Sequence, residues 1–96
     1  MMYDLPFDTP AQRREYSRFR KALTENGFIP MQESVYIRLL RNVSSAAAEA
    51  ERIRTYAPKE GTVHVLQLSL NQLKAMKTVV GDPFPTDLFS DDIVWV

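Results

Sequence analysis

Two periods of apolar and polar residues alternate along this chain, and each change of period marks an element. Residues 1–5 (MMYDL) form an apolar run with one carboxylate, Asp4, near its end. Pro6 stops the run, because proline cannot donate to a ladder and restricts the residue before it. A short strand with Asp4 at its exit is the expectation. Thr9-Pro10-Ala11-Gln12 then reads as a capping box, with Thr9 as N-cap, Pro10 at the first helical position and Gln12 reaching back to the cap amide. Beyond it, Gln12, Tyr16, Phe19 and Leu23 fall on one helical face, while Arg14, Arg18 and Lys21 lie opposite. Gly27 supplies the left-handed stop.

Residues 28–40 are rich in Val, Ile, Tyr and Leu, with Val35, Ile37 and Leu39 alternating against Tyr36 and Arg38. Pro30 and Gln32-Glu33 interrupt that run, which predicts two strand segments joined by a tight turn or bulge. Ser44-Ser45 precede an alanine-rich helix whose acids (Glu49, Glu51) come before its bases (Arg52, Arg54), matching the helix dipole. Pro58 and Gly61 end it. Residues 62–68 predict one β-branched strand, and Ser69-Leu70-Asn71-Gln72 is a second capping box opening a short helix. Asp82-Pro83-Phe84-Pro85 forces an irregular connection. Ile93-Val94-Trp95-Val96 is an apolar C-terminal strand with no evident partner in so small a sheet, which points to pairing with another chain.

This order is that of an α+β, ferredoxin-like βαββαβ sandwich with an extra C-terminal strand, its helices on one face of an antiparallel sheet. Residues 1–81 read as the ferredoxin-like domain and residues 82–96 as an extension for dimer or partner contact. The sheet's second face is expected to stay open and to be buried in a homodimer. A chain of 96 residues holds one domain and leaves much of its surface unburied, which also favours oligomerisation.

Composition narrows the function classes. With 45% hydrophobic residues the chain can build a core, and with no cysteine it has no disulfide, thiolate metal site or cysteine nucleophile. The cytoplasm is the natural setting. No apolar run approaches the ~18 residues of a membrane span, and no secretory signal opens the chain. Net charge is zero, yet the charges are segregated. Residues 13–21 hold Arg13, Arg14, Arg18, Arg20 and Lys21 against Glu15, whereas the chain from Asp82 onward has acids and no Lys or Arg. A polyanion would meet the front of the chain.

Candidate chemistry follows from these positions. Asp4, at a strand end, either caps a turn with Leu5-Pro6 or projects into a cleft where a two-fold axis would bring its copy close. Paired carboxylates and a phosphate oxygen suit Mg2+ or another divalent ion, which keeps several of its waters. Ser34 is placed to orient a water or a phosphate. His64 belongs to no ligand or triad spacing and reads as a sheet-surface or packing histidine. The bases on the first helix are either solvated charges or a stripe about 10 Å long that touches several phosphates. Arginine in four of those five positions suits bidentate phosphate contact. Arg38 joins them as a candidate contact. No aromatic residues interleave on the basic face, so the pattern fits recognition of duplex backbone and shape.

Tyr3-Asp4-Leu5-Pro6, Arg14-Glu15-Tyr16, Phe19-Arg20-Lys21, Asn26-Gly27-Phe28, Gln32-Glu33-Ser34-Val35-Tyr36, Gly61-Thr62-Val63 and Leu66-Gln67-Leu68 together carry a resemblance over residues 3–81. In these motifs the chain resembles the Cas-two family of CRISPR-associated proteins. That resemblance implies a ferredoxin-like homodimer, the central scaffold of the spacer-acquisition complex, that holds double-stranded DNA between dimers of the integrase subunit. It also implies metal-dependent endonuclease activity, on DNA or RNA, with Asp4 as catalytic and metal-binding residue. Partner contact through the C-terminal segment is implied as well, with Phe84, Leu88, Phe89, Ile93 and Trp95 as apolar anchors. A ferredoxin-like toxin ribonuclease or a small ligand-binding regulatory dimer is the alternative, since this fold hosts many functions. One departure stands out. Family members usually carry more apolar residues ahead of the Tyr-Asp pair, so a first strand truncated by a late start site would leave neighbouring backbone unpaired unless another segment fills the gap.

Overall fold

The computed structural model describes residues 1–87, 89 and 93–96. Strand β1 (Met2–Asp4) leads to helix α1 (Pro10–Glu25), strands β2 (Ile29–Gln32) and β3 (Val35–Leu40), and helix α2 (Ser44–Tyr56). Strands β4 (Thr62–His64) and β5 (Gln67–Ser69), the short helix α3 (Leu70–Lys74) and strand β6 (Ile93–Trp95) complete the chain. Both capping boxes form. The Gln12 amide donates to Thr9 Oγ1 at 3.1 Å and the Thr9 amide to Gln12 Oε1 at 3.0 Å. Ser69 and Gln72 repeat the exchange at 3.1 and 2.9 Å. Each pair satisfies two amide donors that a helix start otherwise leaves without partners.

The strands make one antiparallel sheet whose central lane is filled by two separate pieces of chain. In β1, Met2 lies opposite both Val35 of β3 and His64 of β4, and Asp4 lies opposite Thr62. Further along the same lane, Trp95 of β6 lies opposite both Arg38 of β3 and Gln67 of β5. Leu66 and Val96 exchange backbone hydrogen bonds at 2.5 and 2.7 Å, which joins the two registers without a slip. The lanes therefore run β4 and β5, then β1 and β6, then β3, then β2, the antiparallel order of a ferredoxin-like sheet. Two expectations are corrected here. The run 62–68 is two strands, because its first part pairs with β1 and its second with β6. The C-terminal strand pairs within its own chain, and it fills the stretch of lane that the three residues of β1 leave uncovered.

Side-chain alternation divides the core between the faces. On the helix face Tyr3, Tyr36, Leu40 and Trp95 pack against Phe19, Leu23 and Ile53, with Ile93 alongside. The Tyr3 ring stands edge-on to Phe19 at 5.3 Å, a favoured aromatic arrangement. On the opposite face Ile37 and Val94 pack with Leu73 of α3, flanked by Phe84 and Phe89, whose rings lie 5.8 Å apart. That face is thus only partly open: α3 and the two phenylalanines cover it over β3 and β6. Of the residues read as partner anchors, Phe84, Phe89, Ile93 and Trp95 pack in the chain's own core, and Leu88 lies outside the described residues.

Arg38 shares the helix face with Tyr36 and Leu40, which carries it under α2. There its Nη2 meets Glu49 Oε1 at 3.3 Å, and Arg52 reaches the same oxygen at 3.4 Å. Arg38 also donates to the Asn26 carbonyl and lies 5.8 Å from the centre of the Phe28 ring. Gly27, at φ 86°, leaves the space that its guanidinium occupies. Among the described residues Glu49 is the one buried charged residue, so its removal would strand Arg38 half-buried without its acid. Glu49→Ala is expected to lower stability by about 3 kcal/mol, the order seen when one partner of a buried pair is deleted. Urea unfolding of the variant against the parent chain checks this, and an unchanged midpoint would show that the pair is solvated.

Candidate functional site

Asp4 is positioned by pairing on both sides of β1, opposite Thr62 of β4 on one side and through bonds to the β3 side on the other. The Tyr3 amide donates to the Ser34 carbonyl at 3.0 Å and the Tyr36 amide to the Met1 carbonyl at 2.7 Å. The Tyr3 hydroxyl reaches the Glu33 carbonyl at 3.4 Å, and burial pushes its pKa upward, with Tyr16 and Tyr36 adding to the shift. Tyr3 therefore remains a neutral anchor at physiological pH. Because Tyr3 faces the helices, alternation turns Asp4 to the other face. It is exposed there, beyond the part covered by α3 and the phenylalanines.

A shallow pocket of about 460 Å³ opens at this end of the sheet, lined by Asp4, Ser34, Thr62 and His64 with Met2 and Val35 among them. The β1–β4 register explains the grouping: Asp4 opposes Thr62, and His64 opposes Met2 on the same face. Ser34 arrives from the β2–β3 turn, held through its carbonyl bond to Tyr3. The structure thus brings Asp4 and Ser34 together, as neither separation in sequence nor periodicity required. It adds His64, which the sequence reading assigned to the sheet surface or to packing. The signal that would have found it is the antiparallel pairing of the first strand with the run after Gly61, which sets alternate residues of that run beside Asp4.

Among the described residues Asp4 enters none of the ion pairs, so its carboxylate is available to a cation. The described residues contain no group of three or more His, Cys, Asp or Glu suited to a metal. One carboxylate with hydroxyl neighbours fits a hard divalent ion that keeps most of its water, and does not fit a closed structural site. A larger cleft of about 680 Å³ lies between the start of α1 and residues 55–60. Of its charged side chains, Arg18 pairs with Glu15 at 2.6 Å on the exposed face of α1 and Glu60 accepts from Gln12 at 3.3 Å, while Lys59 enters no ion pair among the described residues. The smaller pocket is the better candidate because it gathers a carboxylate, two hydroxyl residues and an imidazole whose side chains make no hydrogen bond or ion pair among the described residues.

The basic residues divide between two surroundings. On α1, Arg13 donates to the Phe7 and Asp8 carbonyls at 3.3 and 3.0 Å, and Lys21 lies 3.9 Å from Glu25. Arg20 donates to the Tyr36 hydroxyl at 3.3 Å and sits 5.8 Å from the centre of the Tyr16 ring. That hydrogen bond raises its pKa, so the charge is permanent. Arg14 is exposed and outside all the ion pairs among the described residues. Arg38 does not join this surface: it is committed to Glu49 and Asn26 beneath α2. The outward basic face is therefore that of α1, with Arg14 its most available member. No helix among the described residues is long and apolar enough to cross a membrane.

Comparison with known proteins bears on both features. A family model described as CRISPR associated protein Cas2 matches residues 1–76. The chain is 42% identical over 80 residues to the CRISPR-associated endoribonuclease Cas2 of Parvibaculum lavamentivorans, a match covering 83% of this chain and 79% of that protein. To the protein of the same name from Lacticaseibacillus rhamnosus it is 42% identical over 81 residues, covering 84% and 80%. The one from Treponema denticola is 36% identical over 92 residues, covering 96% and 91%, and so extends into the C-terminal segment.

Gly61 ties the pocket's geometry to the backbone. It has φ 92°, and a Cβ there would lie 2.6 Å from the Asp4 carbonyl oxygen and 2.8 Å from Leu5 Cδ2. Gly61→Ala is therefore expected to destabilise the fold by more than about 1 kcal/mol and to displace Asp4. Thermal unfolding and the Asp4 amide resonance check this. A variant with unchanged melting temperature and an unmoved Asp4 signal would show that β4 does not press on β1.

Proposed function

The chain belongs to the CRISPR associated protein Cas2 family, and from that premise we propose that it is a nucleic-acid-binding scaffold subunit of the spacer-acquisition complex with a divalent-metal endonuclease centre at Asp4. The observation that carries the reading is the pocket on an uncovered part of the sheet that Asp4, in no ion pair among the described residues, lines together with Ser34 and Thr62. Asp4 would hold the ion, which supplies Lewis-acid polarisation of a phosphodiester and a more acidic water. Ser34 orients a water or a phosphate oxygen beside it. No lysine or arginine lines this pocket. Nucleic acid is therefore attracted elsewhere, by the outward face of α1, where Arg14 and Arg18 meet successive phosphates.

A homodimer closing over the exposed end of the sheet would bring a second Asp4 to the pocket, since a two-fold interface duplicates every residue it uses. The integrase subunit is the further partner in this reading, and the cytoplasm its setting. Double-stranded DNA is the ligand held across α1. RNA is a second substrate for the nuclease centre, favoured by the name its relatives carry, endoribonuclease.

Two measurements test the two halves separately. Asp4→Asn is expected to abolish metal-dependent cleavage of single-stranded RNA and duplex DNA while leaving duplex binding intact; cleavage that persists removes Asp4 from the chemistry. Arg14→Ala with Arg18→Ala is expected to weaken duplex binding and to flatten the slope of log affinity against log salt by about 2. An unchanged slope would mean that these side chains are solvated charges and not phosphate contacts.

A further inference from the structure

We propose that His64 is a second protein ligand of the ion at Asp4, so that the centre takes a first-row divalent ion that accepts nitrogen, for which Mn2+ is the paramagnetic probe, in preference to magnesium. This rests on the reading of Asp4 as a metal residue and specifies the ligand beside it and the class of ion. In the β1–β4 register Asp4 opposes Thr62 and Met2 opposes His64, which makes Asp4 and His64 diagonal neighbours on adjacent strands. Their Cα atoms are then about 7–8 Å apart by ordinary sheet spacing, within reach of two side chains converging on one ion. Both residues are exposed and both line the same pocket of about 460 Å³. Tyr3 and Val63, the residues alternating with them, pack with the core on the helix face.

The donor set decides the ion. Magnesium takes hard oxygen ligands and gives up its water reluctantly, whereas imidazole suits first-row transition ions. One carboxylate and one imidazole from one protomer, even with the second Asp4 that a homodimer would add, leave coordination positions to water and to a phosphate oxygen, so the centre stays open on the substrate side. His64 is also unengaged: among the described residues it takes part in no side-chain hydrogen bond or ion pair. Nor does anything in the described C-terminal segment cover it, since α3 and Phe84 pack over β3 and β6.

His64 is the one histidine in the sequence, so any imidazole signal at a bound ion belongs to it in a preparation without a histidine tag. The test is pulsed electron paramagnetic resonance of the full chain loaded with Mn2+, together with calorimetric titration of Mn2+ and Mg2+. The expected result is nitrogen-14 coupling to Mn2+ that disappears in His64→Gln, with Mn2+ affinity reduced at least about tenfold and Mg2+ affinity little changed. Asp4→Asn should abolish Mn2+ binding. Absence of nitrogen coupling at saturating Mn2+, failure of the parent chain to bind Mn2+, or equal Mn2+ affinity in His64→Gln would overturn the assignment. Nitrogen coupling without phosphodiester cleavage would leave it standing and remove the endonuclease reading. Asp4-dependent cleavage without nitrogen coupling would do the reverse.

Discussion

Backbone pairing on both edges of one central lane governs this molecule, and the lane is shared between the two ends of the chain. β1 pairs with β3 and β4, and β6 continues the same line by pairing with β3 and β5. Buried backbone groups left without partners would cost about 1–3 kcal/mol each, so completing this lane outweighs most single side-chain contacts. Once the register is set, alternation follows for every residue in it. Trp95 and Ile93 go beneath the helices, and Val94 goes to the other face with Ile37 and Leu73.

The same alternation accounts for the surface chemistry. Asp4 and Arg38 are both charged residues of the central part of the sheet, yet one faces outward and the other is drawn under α2 to Glu49. The difference lies in the parity of each residue within its strand. Coverage of the second face then stops short of the β1–β4 end, because α3 and Phe84 with Phe89 reach only across β3 and β6. What remains uncovered is the small area that holds Asp4, Ser34, Thr62 and His64. Negative charge there and positive charge along α1 sit on separate surfaces, which keeps a polyanion's attachment distinct from its chemistry.

Much of the fold was legible in the chain itself. Thr9 with Gln12 and Ser69 with Gln72 mark helix starts by bonds spanning three residues, and both formed as read. The break at Gln32-Glu33 between β2 and β3, the stop at Gly27 and the place of Asp4 at the exit of the first strand were equally local. Family membership was carried by the same short motifs, from Tyr3-Asp4 to Leu66-Gln67-Leu68. The placement of Arg13, Arg14, Arg18, Arg20 and Lys21 along one helix needed no more than its 3.6-residue period.

Other features required the assembled sheet. That β6 pairs inside its own chain, that residues 62–68 divide at Val65-Leu66, that Arg38 is lost to Glu49 and that His64 stands beside Asp4 are all matters of which strand edges meet. Capping and periodicity arise from hydrogen bonds and sterics within a few residues, so the chain determined them by itself. The partner of a strand edge is selected by the total pairing and burial of the whole sheet, a sum over residues distant in sequence, and only the tertiary structure decided it.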